Sequence, residues 1–145
     1  MIGLLQRVSE ACVDVDGSRI GEIGEGLLVL VGVQREDTEK DIARLCERIL
    51  GYRVFMDDTG RMNLSLADTQ GGLLLVPQFT LAADTKKGMR ASFTSAAAPE
   101  KASGYFDRLV DACRAAHPTV ETGKFGADMK VGLLNDGPVT FWLET

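Results

Sequence analysis

One histidine, His117, and three cysteines, Cys12, Cys46 and Cys113, are all that this 145-residue chain offers of those residue types. That scarcity removes most familiar catalytic and metal-binding architectures. A zinc site needs three or four nitrogen, sulfur or carboxylate ligands, and one histidine with scattered cysteines supplies too few. An odd number of widely spaced cysteines is no disulfide framework either. Cys46 and Cys113 fall on the apolar faces of predicted helices and Cys12 in a predicted strand, so all three read as small buried hydrophobes. His117 stands at a predicted helix end before Pro118 and is expected there as a cation facing the helix dipole. There is no Gly-x-Ser-x-Gly elbow, no Walker loop and no dinucleotide fingerprint. No cysteine has a neighbouring base or an electropositive local sequence to activate it.

Basic charge is also in short supply. Sixteen Lys and Arg face 21 Asp and Glu, a net charge of −5, which argues against non-specific nucleic-acid binding and against DNA as a partner. A local basic patch that meets one RNA end remains compatible with that balance. No apolar run reaches the length needed to cross a bilayer. Met1 to Arg7 has neither a basic n-region nor a small-residue cleavage site, so it reads as a first strand, not a signal peptide. The cytoplasm is the expected compartment.

What is present is an ordinary globular composition, with 45% hydrophobic and 26% charged residues, enough for a single domain over residues 1–145. Leu4 to Val8 reads as a strand. Ala11 to Asp16 and Ser18 to Ile23 alternate about Asp16-Gly17, a hairpin signal. Gly26 to Val33 and Gly72 to Val76 are near-continuous apolar runs, as expected of strands buried on both faces. Thr38 caps a helix predicted to run to Leu50, with Asp41 in its first turn and Ile42, Leu45, Cys46 and Ile49 as its apolar stripe. Val54 to Met56 and Met62 to Leu66 flank an Asp-Asp-Thr-Gly turn and predict a second hairpin. Ala82 to Ser95 is polar and basic, a surface loop. Pro99 opens a second long helix that Pro118 stops, and Val120 onward supplies two or three strands, broken near Gly126 and at Asn135 to Pro138. The fold class is α+β, with mostly antiparallel sheets curled into a barrel or roll and two main helices.

Two segments carry the functional signal. Asn135-Asp136-Gly137-Pro138 places a turn directly before the β-forming run Val139 to Leu143. Gly137 permits close backbone approach, and Gly137–Pro138 is a bond at which a cis peptide is affordable. Upstream, Val76-Pro77-Gln78-Phe79-Thr80-Leu81 ends a buried strand. Each segment alone fits an ordinary strand–turn junction. The polar groups they offer, Gln78, Thr80, Asn135 and backbone N–H, orient substrates and stabilise oxyanions but abstract protons poorly. A reaction run here needs little acid–base help from the protein, as with an ester activated by a neighbouring hydroxyl.

The chain resembles the D-aminoacyl-tRNA deacylases along nearly its whole length. The resemblance rests on Gln6-Arg7-Val8, Gly26 to Gly32, Gln78-Phe79-Thr80-Leu81, Ala83 to Gly88, Gly123-Lys124-Phe125-Gly126-Ala127-Asp128-Met129 and Asn135 to Thr140. It implies hydrolysis of the ester of D-aminoacyl-tRNA, with no metal or organic cofactor, by a homodimer whose active sites lie at the subunit interface. It implies that Gln78, the N–H of Phe79 and Thr80 line the ester. Thr80 matches a residue formerly taken as nucleophile, and the terminal ribose hydroxyl is the better assistant for attack by water. It further implies a cis Gly137–Pro138 peptide, steadied by Arg7, that enters the partner's pocket and excludes L-side chains, with Met129 and Asn135 among the substrate-binding residues. Glycyl-tRNA, with no side chain to exclude, is then an expected substrate. Lys86, Lys87 and Arg90 are candidate contacts to acceptor-end phosphates, or simply a solvated loop.

The chain departs from the family at two points. Pro77 stands where Ser is usual, and Arg90-Ala91-Ser92-Phe93 where Arg-Pro-Ser-Phe is usual. Pro before Gln is found in a sister group, the animal-type deacylases that act on L-alanyl-tRNA. Asn135-Asp136 and Phe141 follow the D-specific pattern, as does Arg7. The readings from other classes are a non-catalytic RNA-end-binding dimer and a structural dimer whose last strand is an interface edge.

Overall fold

The computed structural model describes residues 1–145. β1 (Ile2–Val15) is one unbroken strand that joins the Leu4–Val8 and Ala11–Asp16 segments expected separately, and it pairs with three other strands. Asp16 and Gly17, both at positive φ, turn it into β2 (Ser18–Ile23), as the Asp-Gly signal requires. Its first half pairs antiparallel with β3 (Gly26–Gly32). α1 (Glu39–Gly51) follows, capped where expected: the Asp41 carboxylate accepts from the Thr38 N–H at 2.8 Å and from its hydroxyl at 2.7 Å. β4 (Phe55–Met56) and β5 (Met62–Leu64) form the second hairpin. A short helix that the sequence did not announce, α2 (Leu66–Thr69), is closed by reciprocal bonds between Ser65 and Asp68.

β6 (Gly72–Pro77) runs parallel to β3, and β7 (Val120–Thr122) runs parallel to β6 after α3 (Pro99–Ala116) crosses back. The path β2-β1-β3-β6-β7 curls until its ends meet. A Cβ built on Gly21 of β2 would lie 2.9 Å from the Thr122 carbonyl oxygen of β7. This nearly closed barrel with helices on one side is the expected α+β class. Its interior holds a small core of Val8, Val13, Leu28, Leu74 and neighbours. A larger core lies under α1 and α3, where Leu5, Leu27, Val29 and Leu75 meet Leu45, Ile49, Phe106 and Leu109. Alternate side chains of β3 and β6 therefore enter different cores, which explains why these runs are apolar throughout.

β8 (Lys130–Glu144) pairs only with β1 and corrects the expected break at Asn135 to Pro138. The strand does not end there; it slips register. Gln6 pairs with Thr140 and Val8 with Asn135, so Arg7 alone stands opposite four residues, Asp136, Gly137, Pro138 and Val139. The surplus is thrown out as a bulge in which Gly137 has φ +125 and the Gly137–Pro138 peptide is cis. His117 is a second correction. It stands at the end of α3 as expected, but its ring is buried and turned to another element, with Nε2 2.6 Å from the Gly71 carbonyl, tying the end of α3 to the entry of β6.

Candidate active site

Parallel strands end on the same side, so β6 and β7 deliver their C-terminal residues to one place. The last ladder bond of β6 runs from the Gln78 N–H to the Val31 carbonyl at 2.7 Å, and the Gly123 N–H just beyond β7 donates to Leu75 at 2.8 Å. Past Gln78 the chain tightens into a 3₁₀ turn, Phe79–Ala82. The N–H groups of Phe79 and Thr80 open that turn and precede its first internal bond. The Gln78 side-chain amide donates to the Thr80 hydroxyl, which fixes both groups on the outer face.

Between these strand ends and the start of β8 lies a cavity of about 280 Å³ lined by Val76, Pro77, Gln78, Phe79, Phe125, Gly126, Ala127, Met129 and Val131, at the small end of the range for ligand sites. No lining residue is ionisable. Its polarity comes from the Gln78 amide, the Met129 thioether and backbone groups. Such a site can orient a bound group and offer N–H donors to a developing oxyanion. It has no side chain able to take a proton from water at neutral pH.

The other candidates for chemistry do not line it. His117 is bonded to Gly71. Cys46 and Cys113 are buried together between α1 and α3, their sulfurs 3.5 Å apart. The hydrogen bond to Cys46, reinforced by burial, pushes the Cys113 thiol up and holds it protonated. No cluster of three or more His, Cys, Asp or Glu side chains is placed to hold a metal.

Of the residues singled out from sequence, Gln78, Phe79 and Met129 line this cavity. Thr80 stands beside it through its bond to Gln78. Arg7, Asn135, Gly137 and Pro138 form a second group, at the bulge. Arg7 is only 6% exposed. One guanidinium nitrogen donates to the Val54 carbonyl at 2.6 Å, while Nε donates to the Asp136 carbonyl at 3.1 Å and lies 3.2 Å from its carboxylate. Asn135 closes the base of the bulge. Its carbonyl accepts from the Val139 N–H at 3.2 Å and its amide donates to the Thr140 hydroxyl at 3.1 Å. Gly137 and Pro138 are exposed and do not line their own chain's cavity.

Lys86, Lys87 and Arg90 are exposed on the loop pinched by reciprocal backbone bonds between Asp84 and Ser92. That loop folds back over the 3₁₀ turn, where the Phe93 and Phe79 rings meet at a tilt of 45° with centroids 5.2 Å apart. Phe125, Ala127 and Val131 are cavity residues that sequence reasoning did not single out. Phe125 and Ala127 sit inside the Gly123–Met129 motif, which was the available signal.

Comparison with known proteins agrees in direction. The family model described as D-Tyr-tRNA(Tyr) deacylase matches residues 4–144. A D-aminoacyl-tRNA deacylase of Thioalkalivibrio sulfidiphilus is 68% identical over 144 residues, covering 99% of this chain and 97% of the relative. One from Escherichia coli is 54% identical, with 99% of each chain covered. Among solved structures, a c-Myc DNA unwinding element binding protein superposes with a TM-score of 0.96 at 39% identity, covering 100% of this chain and 99% of that one. A probable eukaryotic D-amino acid tRNA deacylase, 18% identical, superposes at 0.85 over 99% of this chain and 98% of that one, which shows a shared fold.

Proposed function

The chain belongs to the D-Tyr-tRNA(Tyr) deacylase family and is a D-aminoacyl-tRNA deacylase; on that premise we propose how its two groups of residues divide the work. The cavity at the ends of β6 and β7 holds the aminoacyl ester of the tRNA acceptor end. Gln78 and Thr80 orient it, and the N–H of Phe79 meets the oxyanion that forms when water attacks. The substrate's own ribose hydroxyl assists that water, because the lining offers no protein base. Pro77 supplies no hydroxyl, so the polar contacts begin at Gln78. Lys86, Lys87 and Arg90 contact acceptor-end phosphates.

The second group acts across a homodimer. The bulge of one copy, steadied by Arg7 and Asn135, enters the cavity of its partner. Its main-chain carbonyls accept the substrate's amino group and leave no volume for a side chain on the L face. Selectivity of this kind arises from exclusion and not from tighter grip on the D-side chain. Varied D-aminoacyl esters, and glycyl esters, pass the same filter.

One observation carries this reading. The bulge does not line its own chain's cavity, yet the buried Arg7 bonds it at Asp136. β8 adds support: it has no partner along its outer edge, and it exposes Leu133, Leu134 and Trp142, the kind of edge proteins normally cover.

The deciding experiment follows ester loss from D-Tyr-, L-Tyr-, L-Ala- and Gly-tRNA while light scattering reports the assembly. Cleavage of the D- and glycyl esters only, by a dimer, is the expected result. Measurable L-alanyl-tRNA cleavage would move the chain to the animal-type group that Pro77 brings to mind. Full activity in a monomer would overturn the cross-subunit arrangement.

A further inference from the structure

Gly123 has no backbone reason to be glycine. Its φ lies outside the left-handed region, it is buried, and its N–H simply continues the β6 ladder. What it lacks is room. A Cβ at this position would sit 2.8 Å from the Met129 sulfur, 3.3 Å from Pro77 Cδ and 3.4 Å from Val76 Cγ1. The Pro77 and Val76 atoms stand at or just inside ordinary contact distance and need give little. The third is near the end of a flexible side chain, so Met129 would have to move.

Met129 is held where it is by a second contact in the same segment. The chain turns at Gly126, and the Lys124 N–H donates to the Met129 sulfur at 3.3 Å. The thioether is thus seated over the bare Cα of Gly123, and Met129 forms part of the cavity wall. Gly123 itself does not line the cavity.

We infer that Gly123 is a positioning residue for the substrate cavity: the missing Cβ is the seat of the Met129 thioether, and the seat sets the shape of the wall that the aminoacyl group meets. This rests on the placement of the ester in that cavity. A side chain at 123 drives the sulfur off Lys124 and into the space the substrate needs. Displacement of a site group by about 1 Å can cost up to about 10²-fold in rate, so Gly123→Ala is expected to lower kcat/KM for D-Tyr-tRNA by about 10- to 100-fold.

The test uses three full-length variants, Gly123→Ala, Met129→Ala and the double variant, with ¹³C-methyl-methionine NMR on the first. Displacement predicts a shifted Met129 methyl resonance in Gly123→Ala and a loss of kcat/KM. It also predicts no further loss when Gly123→Ala is added to Met129→Ala, since the atom it would strike is gone. The double variant also relieves the clash should Gly123→Ala fold poorly. An unshifted methyl resonance, or losses that simply multiply in the double variant, would overturn the inference. So would a harmful Met129→Ala combined with a harmless Gly123→Ala. If Met129→Ala itself leaves D-ester cleavage untouched, the ester does not sit in this cavity. The positioning role then falls together with the site that it serves.

Discussion

β3 and β8 flank the same stretch of β1, one on each edge, and could hardly differ more. Six of the seven residues of β3 are buried, whereas Leu143 is the only buried residue among the fifteen of β8. Both are rich in leucine and valine. In β3 those side chains fill two cores, one per face; in β8 all but Leu143 lie open or half open. Hydrophobic sequence therefore says that a strand forms, not what it is for. What distinguishes the two is register: β3 keeps a regular ladder, while β8 surrenders four residues opposite Arg7. The regular strand fills the cores, and the irregular one exposes the bulge to which the proposed function gives the work of recognition.

The sharpest way to separate them is Leu27→Ala in β3. Leu27 is fully buried, and truncating such a leucine costs about 2–5 kcal/mol. Urea unfolding should show that loss, with D-ester cleavage per folded molecule unchanged. A catalytic defect matching the stability loss would mean that the two strands are not independent.

Next in size comes the contrast between Thr80 and His117. Thr80→Ala should slow deacylation, by up to about 10²-fold when an oxyanion-type contact is central, and leave the melting temperature in place. His117→Ala should do the reverse, because it leaves the Gly71 carbonyl unpaired at a cost of about 1–3 kcal/mol. Single-turnover rates and thermal melts on both variants decide it. Complete inactivation of Thr80→Ala with a trapped acyl-enzyme would instead make Thr80 the nucleophile.

Arg7→Met joins the two regions, since Arg7 bonds the Val54 carbonyl inward and Asp136 outward. It should cost about 1–3 kcal/mol from the orphaned carbonyl and also weaken discrimination between D- and L-Tyr-tRNA. Stability loss with selectivity intact would detach the bulge from substrate choice.

Smaller again is Lys86→Ala/Lys87→Ala/Arg90→Ala. Fewer phosphate contacts should raise KM and flatten its salt dependence. An unchanged slope would leave the loop a solvated one.

Least of all is the α1 cap. Hydrogen bonds from Thr38 hold the Asp41 carboxyl below its ordinary value. A depressed carboxylate stabilises the fold above its unfolded pKa, near 4, and that contribution fades as pH falls through the lower folded value. Asp41→Asn should therefore shrink the acid dependence of the melting temperature below about pH 4.

Much of this was legible locally. Asp16-Gly17, the Thr38–Asp41 cap and the two apolar runs each encode their element within a few residues, and the structure follows them. Non-local facts were not. Nothing near Arg7 states that it faces a four-residue surplus more than a hundred positions away. Nothing near His117 points to Gly71, and the adjacency of Cys46 and Cys113 needs the packing of α1 on α3. The break expected at Asn135 to Pro138 was a sound reading of turn chemistry. Pairing with β1 on both sides of it carries the strand through. In the cavity, Gln78, Phe79 and Met129 were reachable through family resemblance. Val131 was not, because an alternating valine in a strand gives no sign of which face it lines.

Arg7 also bears on when selectivity is decided. Its guanidinium is held by the core and holds the bulge, with no ligand required for either bond. On the proposed arrangement, whatever the bulge excludes is therefore excluded from the moment two folded chains have paired. A loop that closes on its substrate settles the matter anew at each encounter, and can be coaxed by a tight-binding wrong ligand. A turn anchored in the barrel has no such latitude. The ratio of kcat/KM for D- and L-esters should therefore be a fixed property of the assembled enzyme, the same whichever ester is presented first.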